Sequence, residues 1–347
     1  MKITVLDNGQ TKHVRSKRYN YDFDYTTGYF ARWGETRDDD PQSAPSAEIL
    51  DIEITTKCNG PGGKLCPFCY KANTPNGHNM SLDTFTKIID MMKPSKDNVG
   101  CTQLAIGADS SCTANPDMWK MMDYARDNNV IPNITVADIS DDVADKLVVK
   151  CGAVAVSRYE DKNYCYDSVK RLTDRGLDQT NIHMMICQEY LDQAFETLDD
   201  YLTDGRLSKL NAIVFLSLKQ KGRGVNHTPL TQEQFKSLVD KAFELNVPIG
   251  FDSCGANSFM DAIKGRDNEQ ELLTHVEPCE STLFSSYIDC FGKFYPCSFA
   301  PGYDGWDDGI DVLEYDNFKE IWNHPRVDVF RNKLLDCKRN CPMYKIR

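Results

Sequence analysis

The chain has 347 residues, 41% hydrophobic and 27% charged, with a formal net charge of −12 at pH 7. That is an ordinary globular composition, and the acidic balance argues against nucleic acid as a partner, which calls for a basic footprint. No apolar run reaches the length of about twenty residues that a transmembrane helix needs, and MKITVLDNGQTKH is too poor in apolar residues for a signal peptide, so no membrane association and a cytoplasmic location are expected.

Residues 1–45 read as a small β-rich segment. MKITVL and KHVRS flank Asp7-Asn8-Gly9, a hairpin turn signal, and Thr26-Thr27-Gly28 marks a second turn. Between them Tyr19, Tyr21, Phe23 and Tyr25 alternate with polar residues. A sheet with one aromatic core face and one charged face is the expectation. A nucleic-acid or peptide surface is the alternative, since Lys12, His13, Arg15, Lys17, Arg18 and Arg32 are interleaved with these rings and with Tyr29, Phe30 and Trp33.

From residue 46 to 253 strand and helix patterns alternate. Strands are predicted at 49–55, 102–106, 131–136, 152–157, 181–187 and 211–218, and helices at 81–93, 116–128, 141–150, 164–175, 191–203 and 231–246. Ser81 is an expected N-cap, and Asn115-Pro116 an expected cap and first helical position. Six such units predict an α/β fold: a partial (βα)6 TIM-like barrel with chemistry at the C-terminal ends of its strands. Residues 254–347 form a third region. A hairpin around Gly292 and a last helix near 316–335 lead into Cys337-Lys-Arg-Asn-Cys341.

Fourteen cysteines in a chain of this size with no expected export do not suggest a disulfide framework. Cys101, Cys112, Cys151, Cys165 and Cys187 lie singly in core-like elements and are expected to be buried thiols. Cys58, Cys66 and Cys69 are different. They fall in one loop after the first main strand, in the pattern Cys-x7-Cys-x2-Cys. Structural zinc and closed iron–sulfur clusters take four ligands, so three thiols leave a metal corner open to something that is not protein.

This pattern resembles the radical S-adenosylmethionine enzymes, whose signature is three cysteines after the first barrel strand with an aromatic before the last, here Phe68. The first gap is seven residues, where three is commonest in the family, and the inserted Asn59–Leu65 segment is glycine-rich. The resemblance implies that Cys58, Cys66 and Cys69 hold a [4Fe–4S] cluster whose fourth iron binds S-adenosylmethionine, with Phe68 near the adenine. It further implies cofactor contacts at Gly107, Ala108 and Asp109, where the family's second glycine is absent, and at Thr135, Ser157 and Arg158. The run Cys279-x12-Gly292-x4-Cys297 resembles the opening of the family's SPASM and twitch extensions. It implies a second, auxiliary [4Fe–4S] cluster on Cys279, Cys297, Cys337 and Cys341. Cys290 is spare and either replaces one of these ligands or packs in the hairpin, and Cys254 is a candidate hydrogen donor or ligand beside the plainer reading of a buried thiol.

The implied activity is reductive cleavage of S-adenosylmethionine to a 5′-deoxyadenosyl radical that abstracts hydrogen from a substrate. A flavodoxin- or ferredoxin-like reductant is the implied partner. A peptide or protein side chain is the substrate class most often paired with such an extension; a small molecule or a modified nucleotide is the alternative. From a different class, a non-catalytic zinc-binding interaction protein would use the late cysteines alone.

Overall fold

A computed structural model describes residues 3–94 and 98–346, so the Met1-Lys2 opening of the first expected strand lies outside the described residues. Strands β1 (Thr4–Asp7), β2 (Thr11–Arg15), β3 (Asn20–Asp24) and β4 (Phe30–Trp33) form an antiparallel meander in sequence order. Its aromatic face is a core face: Tyr19, Tyr21 and Phe23 are all buried. Tyr19 donates to Glu48 at 2.8 Å, Tyr21 pairs with Thr102 at 3.0 Å, and the buried Lys12 ammonium donates to the Gly100 carbonyl at 2.9 Å. Glu48, Gly100 and Thr102 all precede main-sheet strands. The small sheet therefore covers the N-terminal ends of those strands, opposite the loops that follow them.

The main sequence alternates as expected: β5 (Ile49–Glu53), α1 (Leu82–Met92), β6 (Gln103–Gly107), α2 (Met118–Asp127), β7 (Ile131–Val136), α3 (Asp141–Lys150), β8 (Ala153–Ser157), α4 (Lys162–Thr173), β9 (Thr180–Ile186), α5 (Leu191–Thr203), β10 (Ala212–Ser217) and α6 (Gln232–Glu244). Beyond these come β11 (Ile249–Phe251), α7 (Ala256–Ile263), α8 (Glu269–Leu273), β12 (Ser285–Ile288), β13 (Lys293–Tyr295), β14 (Ile310–Asp311), α9 (Phe318–Trp322) and α10 (Pro325–Asp336). They complete a mixed α/β fold with a largely parallel ten-stranded sheet of order β11-β10-β9-β8-β7-β6-β5-β12-β13-β14.

The sheet extends past the six expected strands at both ends. β11 adds a seventh parallel strand, but at three residues it is too short to carry a readable period. β12 forms the expected hairpin with β13 and also pairs in parallel with β5. The last expected helix is two helices. Pro325 has no amide to continue the first, and the His324 side chain caps the second by accepting from Arg326 N at 3.2 Å. Ser81 caps α1 as predicted, accepting from Thr84 N. α2 starts at Met118, two residues later than expected; Asn115 Oδ1 still accepts from Asp117 N at 3.0 Å, while its Nδ2 donates to the Ile54 and Met80 carbonyls at 2.8 and 3.1 Å, tying α2's approach to the end of β5.

The strands' two faces differ. Leu50, Ile52, Leu104, Ile106, Val154 and Val156 are buried. On the alternate face Ala105 and Thr135 are exposed, Asp51, Ser157, His183 and Val214 are half-buried, and Glu53 and Ala155 are buried. Parallel sheets normally bury apolar residues on both faces. A small, polar and accessible second face marks where this fold leaves room for a ligand.

Candidate functional site

The three leading cysteines occupy the loop between β5 and α1. Cys58 N donates to Thr74 O at 3.0 Å and Thr56 N to His78 O at 2.8 Å, so the loop leaves and returns as a short paired stem. The long first gap closes on itself through a 3-10 turn at Pro61–Gly63, with Gly63 N on Gly60 O at 3.2 Å and Lys64 N on Pro61 O at 3.1 Å. Gly60 is required there: its φ is +73°, and a Cβ would lie 1.8 Å from the Lys64 carbonyl oxygen. Its amide donates to the Cys58 sulfur at 3.3 Å.

A second loop, after β10, straps this one down. Arg223 donates from its backbone N to Cys69 O at 3.0 Å, from Nε to Cys66 O at 2.7 Å and from Nη1 to Asn73 O at 3.2 Å. Gly222, at φ +55°, permits the approach; a Cβ would meet Tyr70 O at 2.3 Å. Around Phe68 stand three rings from three other loops. Tyr159 stacks on it at 5.6 Å and 11°, Tyr190 meets it edge-on at 5.4 Å and His227 at 6.2 Å. The Tyr159 hydroxyl lies within the field of all three thiols.

Burial pushes the Cys66 thiol up to about 12, against opposing effects from the Phe68 amide, Arg223 and Tyr159. A thiol held protonated is a poor nucleophile but a sound metal ligand, because a bound cation removes the proton outright. The donor set fits iron–sulfur ligation: all-sulfur, three-membered and buttressed by backbone amides aimed at sulfur. Among the described residues no three His, Cys, Asp or Glu side chains converge on a point where one metal ion would sit.

The other expected contacts are placed unevenly. Gly107 ends β6 with its carbonyl accepting from Ile54 N at 2.9 Å. Ala108 is half-buried beside it. The Asp109 carboxylate is consumed by its own turn, accepting from Thr113 N and Ala114 N at 3.0 Å and from Ser111 N at 3.3 Å. Thr135 and Ser157 lie on the accessible face, Ser157 next to the Tyr159 hydroxyl. Arg158 is buried and turned to the helix side, with Nη2 on Glu196 at 3.1 Å and Nη1 on Glu160 O at 3.2 Å. It does not join the triad.

Sequence spacing missed the polar cluster beside the triad. Tyr287 donates to Glu53 at 2.8 Å, and Lys71 reaches both. Asp51, two residues earlier on β5, is pushed up to about 7, mainly by burial and also by Glu280. Burial holds His183 down at about 4, so its imidazole is neutral near pH 7. The signal was present in ILDIE, where two carboxylates interrupt an apolar strand on one face. The five cysteines expected in the core are all buried. Cys290 is also buried, beside Thr56 and Glu53. Cys337 is exposed at the end of α10, while Cys279, Cys297, Cys341 and Cys254 line a cavity of about 200 Å³.

No family model and no curated protein matches the chain. Among solved structures it is similar to an HpcH/HpaI aldolase from Desulfitobacterium hafniense DCB-2, with a TM-score of 0.36 and 8% identity over 71% of this chain and 87% of that one. No helix among the described residues is long and apolar enough to cross a membrane.

Proposed function

We propose that the chain is a radical S-adenosylmethionine enzyme. In this reading residues 46–253 are a partial (βα)6 barrel, residues 1–45 close its far end, and residues 254–347 carry an auxiliary [4Fe–4S] cluster. The observation that carries it is the loop after β5. Three thiols on that loop are held at the C-terminal end of the sheet, beside an aromatic cluster and an accessible polar strand face.

Cys58, Cys66 and Cys69 would hold a [4Fe–4S] cluster that, when bound, supplies the electron for cleaving S-adenosylmethionine to methionine and a hydrogen-abstracting 5′-deoxyadenosyl radical. The chain's own work is positioning. Arg223 and Gly222 hold the Cys66–Cys69 carbonyls in place. Phe68, Tyr159 and Tyr190 offer a stacking surface for an adenine. Thr135, Ser157 and the neutral His183 offer hydrogen-bonding groups without a competing positive charge. Glu53, Lys71 and Tyr287 form a fixed polar group, stiffened by mutual bonds, against which a substrate can be oriented.

The substrate proposed is a peptide or protein side chain, on the strength of the resemblance of the late cysteine run; a small molecule or a modified nucleotide is the alternative. A flavodoxin or ferredoxin in the cytoplasm would be the electron donor. The test is iron and acid-labile sulfide in the anaerobically purified protein. About eight irons with matching sulfide per chain are expected from two four-iron clusters. Zinc without sulfide would instead select the interaction-protein reading.

A further inference from the structure

We infer that the fourth thiolate of the second metal site is Cys254, not Cys337, so that the site joins the end of β11 to the C-terminal tail. This rests on the proposed auxiliary cluster for the identity of the cofactor, but the ligand set is read from the geometry of the chain alone.

The cavity of about 200 Å³ collects thiols from four separate segments: Cys254 after β11, Cys279 before β12, Cys297 after β13, and Cys341 after α10. Cys337 is not among its walls. Local structure explains the difference. Cys337 is the C-cap of α10, its amide bonded to Lys333 O at 3.1 Å, and it is exposed. The next two residues, Lys338 and Arg339, both adopt positive φ, 53° and 61°. That reverses the chain, so Cys341 faces the cavity while Cys337 stays outside. Arg339 locks the reversal by donating to Cys279 O at 3.0 Å and Pro278 O at 2.7 Å, which pins the tail against the Cys279 segment.

Cys254 is equally fixed. Asp252 makes a tight turn beneath it, accepting from Gly255 N at 3.1 Å and from Ser217 N at 3.2 Å. The same carboxylate pairs with the buried Lys219 ammonium, which also faces the Cys254 sulfur. The arrangement suits a site carrying net negative thiolate charge: a buried cation beside the ligand, itself held by a carboxylate, and hydroxyls from Ser281 and Ser298 on the walls.

The consequence is structural as well as chemical. A four-thiolate site spanning residues 254 to 341 staples the edge of the main sheet to the C-terminus, and its occupancy should control the order of the last residues.

The experiment uses the full chain with Cys58, Cys66 and Cys69 replaced by alanine, so that only the second site can be loaded. It is reconstituted anaerobically with ferrous iron and sulfide, and read by iron and sulfide content and by electron paramagnetic resonance after reduction. About four irons per chain are expected. Cys337→Ser should keep that content and the spectrum. Cys254→Ser should lose most of the iron or alter the spectrum, as replacing thiolate by alkoxide at one iron requires. Unchanged iron and spectrum in Cys254→Ser, or their loss in Cys337→Ser, would overturn the assignment. Cys290→Ser, a buried thiol outside the cavity, controls for misfolding; equal loss in it and in Cys254→Ser would also count against Cys254.

Discussion

Replacing Arg223 by alanine removes two charge-assisted hydrogen bonds to the triad loop, Nε to Cys66 O at 2.7 Å and Nη1 to Asn73 O at 3.2 Å, while the backbone bond to Cys69 O at 3.0 Å survives. Bonds to a charged donor contribute about 1.5–3 kcal/mol each, and a guanidinium still partly reached by water belongs at the lower end. The loop should therefore lose about 2–4 kcal/mol of local stability, with no core contact removed. At ~1.4 kcal/mol per tenfold, its opening equilibrium should rise about thirty- to several-hundred-fold. Amide hydrogen exchange reads this directly. Cys69 N and Ala72 N, which donate to Cys66 O and Cys69 O, should exchange faster by that factor, while α1 interior amides should not change. Arg223→Lys should rescue only in part, because an ammonium cannot reproduce the planar two-point contact. Exchange at Cys69 and Ala72 equal to that of the parent chain would refute the strap.

Four further outcomes follow from particular contacts. Gly222→Ala should weaken iron retention in the triad more than Arg223→Ala does, since its Cβ would press a backbone oxygen at 2.3 Å; competition with a chelator measures it. Gly60→Ala should do the same through the 3-10 turn, leaving the global melting temperature nearly unchanged because the loop is peripheral to the core. Phe68→Ala should weaken S-adenosylhomocysteine binding by about five- to a hundred-fold in calorimetry, the effect of losing about 1–3 kcal/mol of stacking; an unchanged affinity would remove Phe68 from the adenine site. Lys12 is wholly buried and burial lowers its pKa from 10.5 to about 8. The unfolded chain binds the proton more tightly, so stability should rise between pH 8 and 10.5 and be flat below 8. Lys12→Met should abolish that rise in urea titration, while leaving the Gly100 carbonyl without its donor.

The alternation of strands and helices was legible because it is local. Period-2 runs such as ILDIE and AVAVS, and a cap such as Ser81, act within a few residues. The break before Pro325 was equally local, and reading residues 316–335 as one helix set an apolar period above a proline. Long-range demands were not legible. Asn115 makes the local bond its sequence suggests, to Asp117 N, but the two carbonyls on other segments that its amide reaches were not readable. The partners of Phe68 come from loops after β8, β9 and β10, so no spacing connects them. Cys337 and Cys341 look equivalent in sequence, and only two left-handed residues between them send one thiol outward and the other in. The aromatic alternation of residues 19–25 was ambiguous because stacking on a base and packing in a core use the same rings; burial of Tyr19, Tyr21 and Phe23 decides for the core.

In the proposed function Cys58, Cys66 and Cys69 hold the site of S-adenosylmethionine cleavage. Its most direct test is the formation of 5′-deoxyadenosine by the reconstituted full chain under anaerobic reduction with dithionite. Product is expected from the parent chain and none from the chain with all three cysteines replaced by alanine, even where the second site retains its iron. Product from the triple variant at the parent rate would contradict it.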